Sequence, residues 1–203
     1  MANGRVITGF SKPYVAKYAT TESSGTIVLS YSNGQILARG VSASMSVESS
    51  DDNNFYADNI IAETAAGSFG SGELTLTVDG LLDAAMKLIL GLPAADADGW
   101  THYGDSMDIP YMGVGFVVRY MSGGSTSYVP VVLHKCKFAV PNLDAATQEE
   151  DIDFQTQELT ASILRDDTAN HEWRVVGTAV TTETLAENAI KSYLSIPYVG
   201  DNA

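Results

Sequence analysis

His134 and Cys136 have residue types and a spacing that could support chemistry. In a β-strand, residues two positions apart project from the same face, so this pair could form a Cys–His dyad or half of a metal site. Val132, Phe138 and Val140 share the predicted face, and an apolar face favours a buried cysteine beside a hydrogen-bonded histidine. The sequence shows no cluster of further ligands around the pair. We therefore expect no catalytic residues, no metal and no cofactor in this chain.

Two short motifs begin like known ligand-binding loops but lack the residues that would complete them. Asp96–Gly99 starts like a calcium-binding loop, yet its fifth and twelfth positions are Trp100 and Met107, where oxygen ligands are required. Gly113–Gly115 lacks the third glycine of a dinucleotide fingerprint and lies in a strand-like pattern, which favours close packing instead. Acidic pairs such as Asp51 and Asp52 are typical of solvated loops.

The composition indicates a globular, acidic protein. The chain has 203 residues, of which 45% are hydrophobic and 18% are charged, and its formal net charge is −14. Such a charge repels nucleic acids and anionic membrane surfaces. A single cysteine excludes an intrachain disulfide and suits folding in a reducing cytoplasm. No apolar region follows the first residues, so we expect no secretory signal, and the length predicts one domain over residues 1–203.

Alternation of apolar and polar residues with a period of two predicts a mainly β protein. The clearest examples are Val41–Glu48 and Glu73–Asp79, in which the polar residues form one face of each strand. The predicted strands are Tyr14–Thr20, Thr26–Tyr31, Val41–Glu48, Phe55–Ala65, Glu73–Asp79, Val114–Tyr120, Ser127–Val140, Asp153–Leu164 and Glu172–Thr181. The alternation changes phase near Gln157, which predicts a bulge or bend there.

Helical spacing of apolar residues predicts two helices, at Leu81–Leu90 and at about Glu183–Leu194. Gly91 is expected to end the first, and Thr181, Thr182 or Thr184 to cap the second. Glycine-rich dipeptides and tripeptides predict three turns. These turns are Asn33-Gly34, Gly70-Ser71-Gly72 and Gly123-Gly124.

Four segments of the chain resemble the major tail tube proteins of long-tailed, non-contractile phages. None of the segments is specific alone, but their order and combination, from about residue 5 to residue 180, are typical of that family. The segments are Arg5–Tyr18, Leu37–Val41 leading to Ser50–Asn59, Gly72–Leu81 and Asp153–Ala161.

The resemblance implies a two-sheet antiparallel β-sandwich with one or two flanking α-helices and a long hairpin loop, here without a C-terminal immunoglobulin-like domain. It implies a structural, non-enzymatic virion protein that forms stacked hexameric rings, the tail tube through which DNA is ejected. The implied partners are further copies of the chain, a tape measure protein inside the tube, the tail terminator and the distal tail (baseplate) proteins. Double-stranded DNA would pass without specific binding, and no membrane would be involved. The protein would be made in the host bacterial cytoplasm and reside in the virion tail.

Two sets of residues are candidates for function in such a tube. A wall that lets DNA slide should lack phosphate-binding lysine and arginine, so we expect the polar strand faces to line the lumen. These candidates are Ser42, Ser44, Ser46, Glu48, Glu73, Thr75, Thr77 and Asp79. Aromatic residues beside a polar loop are costly to expose and favoured at interfaces, so a second set is expected to contact a neighbouring subunit. This set is Asp51, Asp52, Asn53, Asn54, Phe55 and Tyr56.

Three alternatives remain open from the sequence. The polar faces Ser42–Glu48 and Glu73–Asp79 could lie on the outer surface instead of lining a lumen. Phe55 and Tyr56 could simply begin the next core strand. The whole chain could also be a monomeric β-sandwich or β-barrel that binds a small molecule or a glycan, and its ten tyrosines are compatible with an aromatic binding site.

Overall fold

Most of the chain forms antiparallel β-strands. The computed structural model describes residues 4–50, 53–65, 67–105, 107–147 and 154–197. In chain order its elements are β1 (Val6–Ser23), β2 (Thr26–Ile36), β3 (Gly40–Ser49), β4 (Asn53–Ala57), β5 (Ile60–Ala65), β6 (Phe69–Val78), α1 (Asp83–Leu90), β7 (Met112–Ser122), β8 (Ser125–Phe138), β9 (Gln157–Leu164), β10 (Arg174–Val176) and α2 (Glu183–Tyr193).

Eight of these strands form one continuous sheet in the order β2-β1-β7-β8-β9-β6-β3, with β10 paired to β8 beside this path. Strands β4 and β5 form a separate hairpin. The prediction of a mainly β, antiparallel protein with two helices is confirmed. The prediction of two stacked sheets is not, because hydrogen bonds connect all eight strands.

The sheet curves so that β1, the second strand of the order, approaches β3 at the opposite end. Strand β9 pairs with only the last residues of β8, from Lys135 to Phe138, while β10 pairs with β8 from Val131 to Leu133. Beyond this short connection the sheet turns back, and the ring of Phe10 in β1 lies against Gly40 at the start of β3. Side chains from both halves of the sheet and from α1 share one apolar core, among them Leu76, Phe116 and Leu133.

The opposite face of β1, β7 and β8 is covered by α2. Ile190 and Leu194 pack there with Val117 and Val132 in a second apolar cluster. A Cβ atom on Gly115 would overlap the side chain of Ile190, so this glycine lets the helix approach the sheet closely. Close packing had been predicted for this segment, and the structure confirms it.

One terminus of each helix shows the expected capping chemistry. The helix α1 ends at Gly91, which has a left-handed backbone with φ of 63°. The helix α2 begins after Thr182, whose hydroxyl accepts a hydrogen bond from the amide of Leu185. Of the three threonines that could cap it, Thr182 is the one used. Among the described residues no helix is long and apolar enough to cross a membrane.

Two of the three predicted turns are wrong. Asn33 has a left-handed backbone, but it lies within β2 at a register shift against β1, so Asn33-Gly34 forms a bulge. The hairpin between β1 and β2 instead turns at Ser24 and Gly25. Gly70–Gly72 belongs to β6 and pairs with β3. Gly123-Gly124 does connect β7 to β8, with two positive φ angles that suit a tight hairpin.

Candidate functional site

The predicted lumen residues lie together on one face of the sheet. Strand register places Ser42 opposite Thr77, Ser44 opposite Thr75 and Ser46 opposite Glu73. Strand β9 extends the same rows, since Thr75 pairs with Thr160 and Thr77 with Glu158. The sequence pattern identified the residues of β3 and β6, but the contribution of β9 depends on a pairing that the sequence did not reveal.

This polar face is acidic or neutral across β3, β6 and β9. No Lys or Arg occurs between Arg39 and Lys87, nor within Gln157–Leu164. Arg165 shares a recess with Ser46, Glu48 and Glu73, and two further cations stand at the borders of the face. Arg39 bonds Asp79 with an Nε–Oδ2 distance of 2.5 Å, and Lys137 pairs in register with Ser162.

The predicted inter-subunit residues belong in part to the hairpin β4–β5. This hairpin turns at Asp58 and Asn59, both of which have left-handed backbones, as a tight two-residue turn requires. Phe55 lies in β4 and is 65% exposed, so the alternative that it begins a core strand is wrong. Asn53, Asn54 and Tyr56 are in the same strand, and Asp51 and Asp52 lie outside the described residues.

His134 and Cys136 do not share a face, so the predicted dyad geometry is wrong. Met112 pairs with Cys136 and Val114 with Leu133, which shows that β8 carries one extra residue between these positions. Such a bulge reverses the alternation of side chains. Cys136 is fully buried in the main core, and burial raises the pKa of its thiol. It therefore behaves as an inert apolar residue.

His134 is instead held in a buried network on the α2 side of the sheet. Its Nδ1 lies 2.8 Å from Oδ2 of Asp166, and its Nε2 lies 2.8 Å from the hydroxyl of Tyr193. The other oxygen of Asp166 accepts hydrogen bonds from the amide and hydroxyl of Thr168. In the neutral imidazole, Nδ1 donates to the carboxylate, so Nε2 accepts from the tyrosine hydroxyl. The sequence did not indicate Asp166 or Tyr193, which come from a loop and a helix distant in the chain.

The network has an Asp–His–hydroxyl order, but its electrostatics suit a structural role. Burial, and then the nearby charges of Glu172 and Asp166, raise the pKa of Tyr193 and disfavour its nucleophilic phenolate form. Ligand atoms of His134, Asp166 and Glu172 lie within 4.8 Å of one another. A cation there would have to replace the bond between His134 and Asp166, both of which are almost completely buried. The hydrogen bonds alone account for the arrangement.

The motif that resembles a calcium loop is a turn stabilised by its own carboxylate. Oδ1 of Asp96 accepts hydrogen bonds from the amides of Asp98 and Trp100, and Oδ2 lies 2.8 Å from Nε2 of His102. The bond with His102, followed by those from the amides, lowers the pKa of Asp96. Its oxygens are therefore used within the loop, as Asx turns commonly do.

An apolar groove of about 360 Å³ opens where the curved sheet does not close. It lies between β1, β3, β7 and the strand β10. Ile7 and Val176 on its rim are 63% and 54% exposed. Its lining includes Ile7, Phe10, Met45, Tyr120, Arg174 and Val176. The sequence did not identify this groove, because its walls come from strands far apart in the chain.

Comparison with protein-family models finds no match, and no curated protein matches the chain significantly.

Proposed function

We propose that this chain is a tail tube subunit, which assembles as stacked rings into a conduit for DNA. The observation that carries the proposal is the acidic and neutral face of β3, β6 and β9, together with the resemblance of four chain segments to tail tube proteins. In this proposal the curved eight-stranded sheet is the sandwich of that family, and the β4–β5 hairpin is its long loop.

The chemistry of the polar face suits a wall over which DNA slides. Each Lys or Arg that neutralises a phosphate adds salt-sensitive affinity, with a log–log slope near −0.9 per contact in duplex DNA. The three strands offer hydroxyls and carboxylates in their place, such as Ser44, Thr75 and Glu73. Carboxylates repel the phosphates, and hydroxyls exchange hydrogen bonds with water, so the described side chains of these three strands do not hold DNA in position.

The open edges of the sheet give the subunit a means of ring formation. Strands β2 and β3 end the strand order, so within the described residues each has one edge with no partner strand. Exposed edges tend to pair with other chains. If β3 continued the sheet of a neighbour, the polar face would extend from subunit to subunit around the ring. The proposal further includes six copies of the chain per ring and a location in the virion tail. Its partners would be the tape measure, tail terminator and distal tail proteins.

Negative-stain electron microscopy of concentrated protein tests the proposal. We expect hollow tubes of stacked rings, either spontaneously or after addition of a tail initiator complex. A protein that binds a small molecule or glycan as a monomer would stay monomeric in light scattering at every concentration. That result, obtained also with the initiator present, would contradict the proposed function.

A further inference from the structure

We propose that the apolar groove of one subunit receives the β4–β5 hairpin of a second copy of this chain. The inference rests on the proposed self-assembly and identifies the two surfaces of one of its contacts. The groove presents an apolar wall that includes Phe10, Met45 and Val176. The hairpin presents Phe55 and Ile60, which are 65% and 67% exposed.

The hairpin does not bury these side chains within its own subunit. In the part of the chain that the structure describes, its extensive contacts are between its own two strands. The hairpin connects Ser49 at the end of β3 to Phe69 at the start of β6. The groove is elsewhere, with Ile7 of β1 and Val176 of β10 in its lining. An apolar projection and a matching recess on different surfaces of one molecule form a heterologous contact, which repeats from copy to copy.

Charge complementarity supports the second copy as the occupant. The hairpin carries the exposed acidic residues Asp58 and Glu63 and no basic residue. The groove has Arg5 and Arg174 at its rim, with the guanidinium groups 4.9 Å from the ring centre of Tyr120 and 4.6 Å from that of Trp173. In a chain with only 11 basic residues, two arginines beside an apolar groove favour an acidic, apolar partner and set its orientation.

Disulfide trapping between two singly substituted chains tests this contact. Ile60→Cys protein is mixed with Val176→Cys protein under mild oxidation, and Leu143→Cys, at a position that is 89% exposed, replaces Val176→Cys as the matched control. The native Cys136 is fully buried and does not compete. We expect at least a tenfold higher yield of the 60–176 heterodimer than of the 60–143 control. Equal yields would overturn the inference.

Assembly of hairpin variants separates this inference from the proposed function. We expect Phe55→Ser with Ile60→Ser to raise the protein concentration needed for tube formation by at least ~10-fold, about 1.4 kcal/mol per contact. The control Leu143→Ser with Phe154→Ser removes two even more exposed apolar residues and should assemble normally. Tubes that form equally well from both double variants would overturn the docking contact and leave the tube proposal intact. Failure of wild-type protein to assemble, together with equal yields of the 60–176 and 60–143 heterodimers, would overturn both.

Discussion

The hydroxyl of Tyr193 connects the end of α2 to the interior of the sheet. It lies 2.8 Å from Nε2 of His134, whose own side chain is 1% exposed. On the other side of the ring, Asp166 holds Nδ1 and is in turn held by Thr168. Hydrogen bonds thus hold both nitrogens of the imidazole. Through its bond to Tyr193, the histidine both specifies the position of α2 and stabilises the helix there.

Tyr193→Phe should lower the free energy of unfolding by about 1–3 kcal/mol, because Nε2 of the buried His134 would lose its hydrogen-bond partner. Chemical denaturation followed by circular dichroism measures the change. Tyr103→Phe is a suitable control, because Tyr103 is 55% exposed, and should stay within about 0.5 kcal/mol of wild type. Equal stability of wild type and Tyr193→Phe would show that water replaces the hydroxyl and that the network does not hold the helix.

At the scale of elements, glycines in β7 set the distance between α2 and the sheet. Gly115 faces Ile190, and Gly113 faces Tyr31 and Leu194, each without room for a Cβ atom. Hydrogen bonds to residues of β1 fix the lateral position of the same helix. Glu187 accepts a hydrogen bond from Tyr14 at 2.5 Å, and Glu183 accepts one from Ser11. Close packing against the glycines of β7 therefore fixes the distance between the helix and the sheet. The hydrogen bonds of Glu183 and Glu187 fix its lateral position.

Gly115→Ala should destabilise the protein by about 1–3 kcal/mol, the usual cost of overpacking a well-packed core. Gly104→Ala is the matched control, since nothing lies within 4 Å of a Cβ built there. It should be neutral or slightly stabilising, because alanine restricts the unfolded chain. Thermal unfolding of both variants measures the difference. If Gly115→Ala were as stable as the control, α2 would not be closely packed on β7.

The sequence predicted elements well where one face of a strand is polar and poorly where both faces are buried. Alternation located β3 and β6, and helical spacing of apolar residues located both helices. In β8 the residues from Val129 to His134 are all buried, so no alternation remains to reveal the bulge before Cys136. A continuous strand was predicted over Phe55–Ala65, although Asp58 and Asn59 are residue types that favour a hairpin turn.

At the scale of the molecule, the two faces of the subunit have different chemistry. One side shows the hydroxyl and carboxylate rows of β3, β6 and β9, and the other carries α2. The groove and the extension of the polar rows onto β9 are formed by strands that are distant in the chain. Single-sequence patterns do not specify such long-range pairing, so the polar rows of β3 and β6 could be predicted whereas their extension and the groove could not.

Introducing lysine on the polar face should convert a DNA-neutral tube into one that retains DNA. Ser42→Lys with Ser46→Lys adds two cations per subunit to β3, and each phosphate contact formed should steepen the log–log salt dependence of binding by about 0.9. The control Thr21→Lys with Ser23→Lys adds the same charge at the exposed end of β1. Retention of short duplex DNA by assembled tubes, measured against salt, should rise only for the β3 variant. Equal retention by both variants would place the polar face outside the conduit.

The absence of Lys and Arg between Arg39 and Lys87 has a consequence for proteolysis. Trypsin cleaves after these two residue types, so β3, the β4–β5 hairpin and β6 remain within one peptide however accessible they are. The hairpin protrudes and would be an early site of attack for a protease with acidic or aromatic specificity. Resistance to trypsin therefore carries no information on whether this projection is ordered, whereas cleavage at Phe55 or Glu63 would report directly on its accessibility.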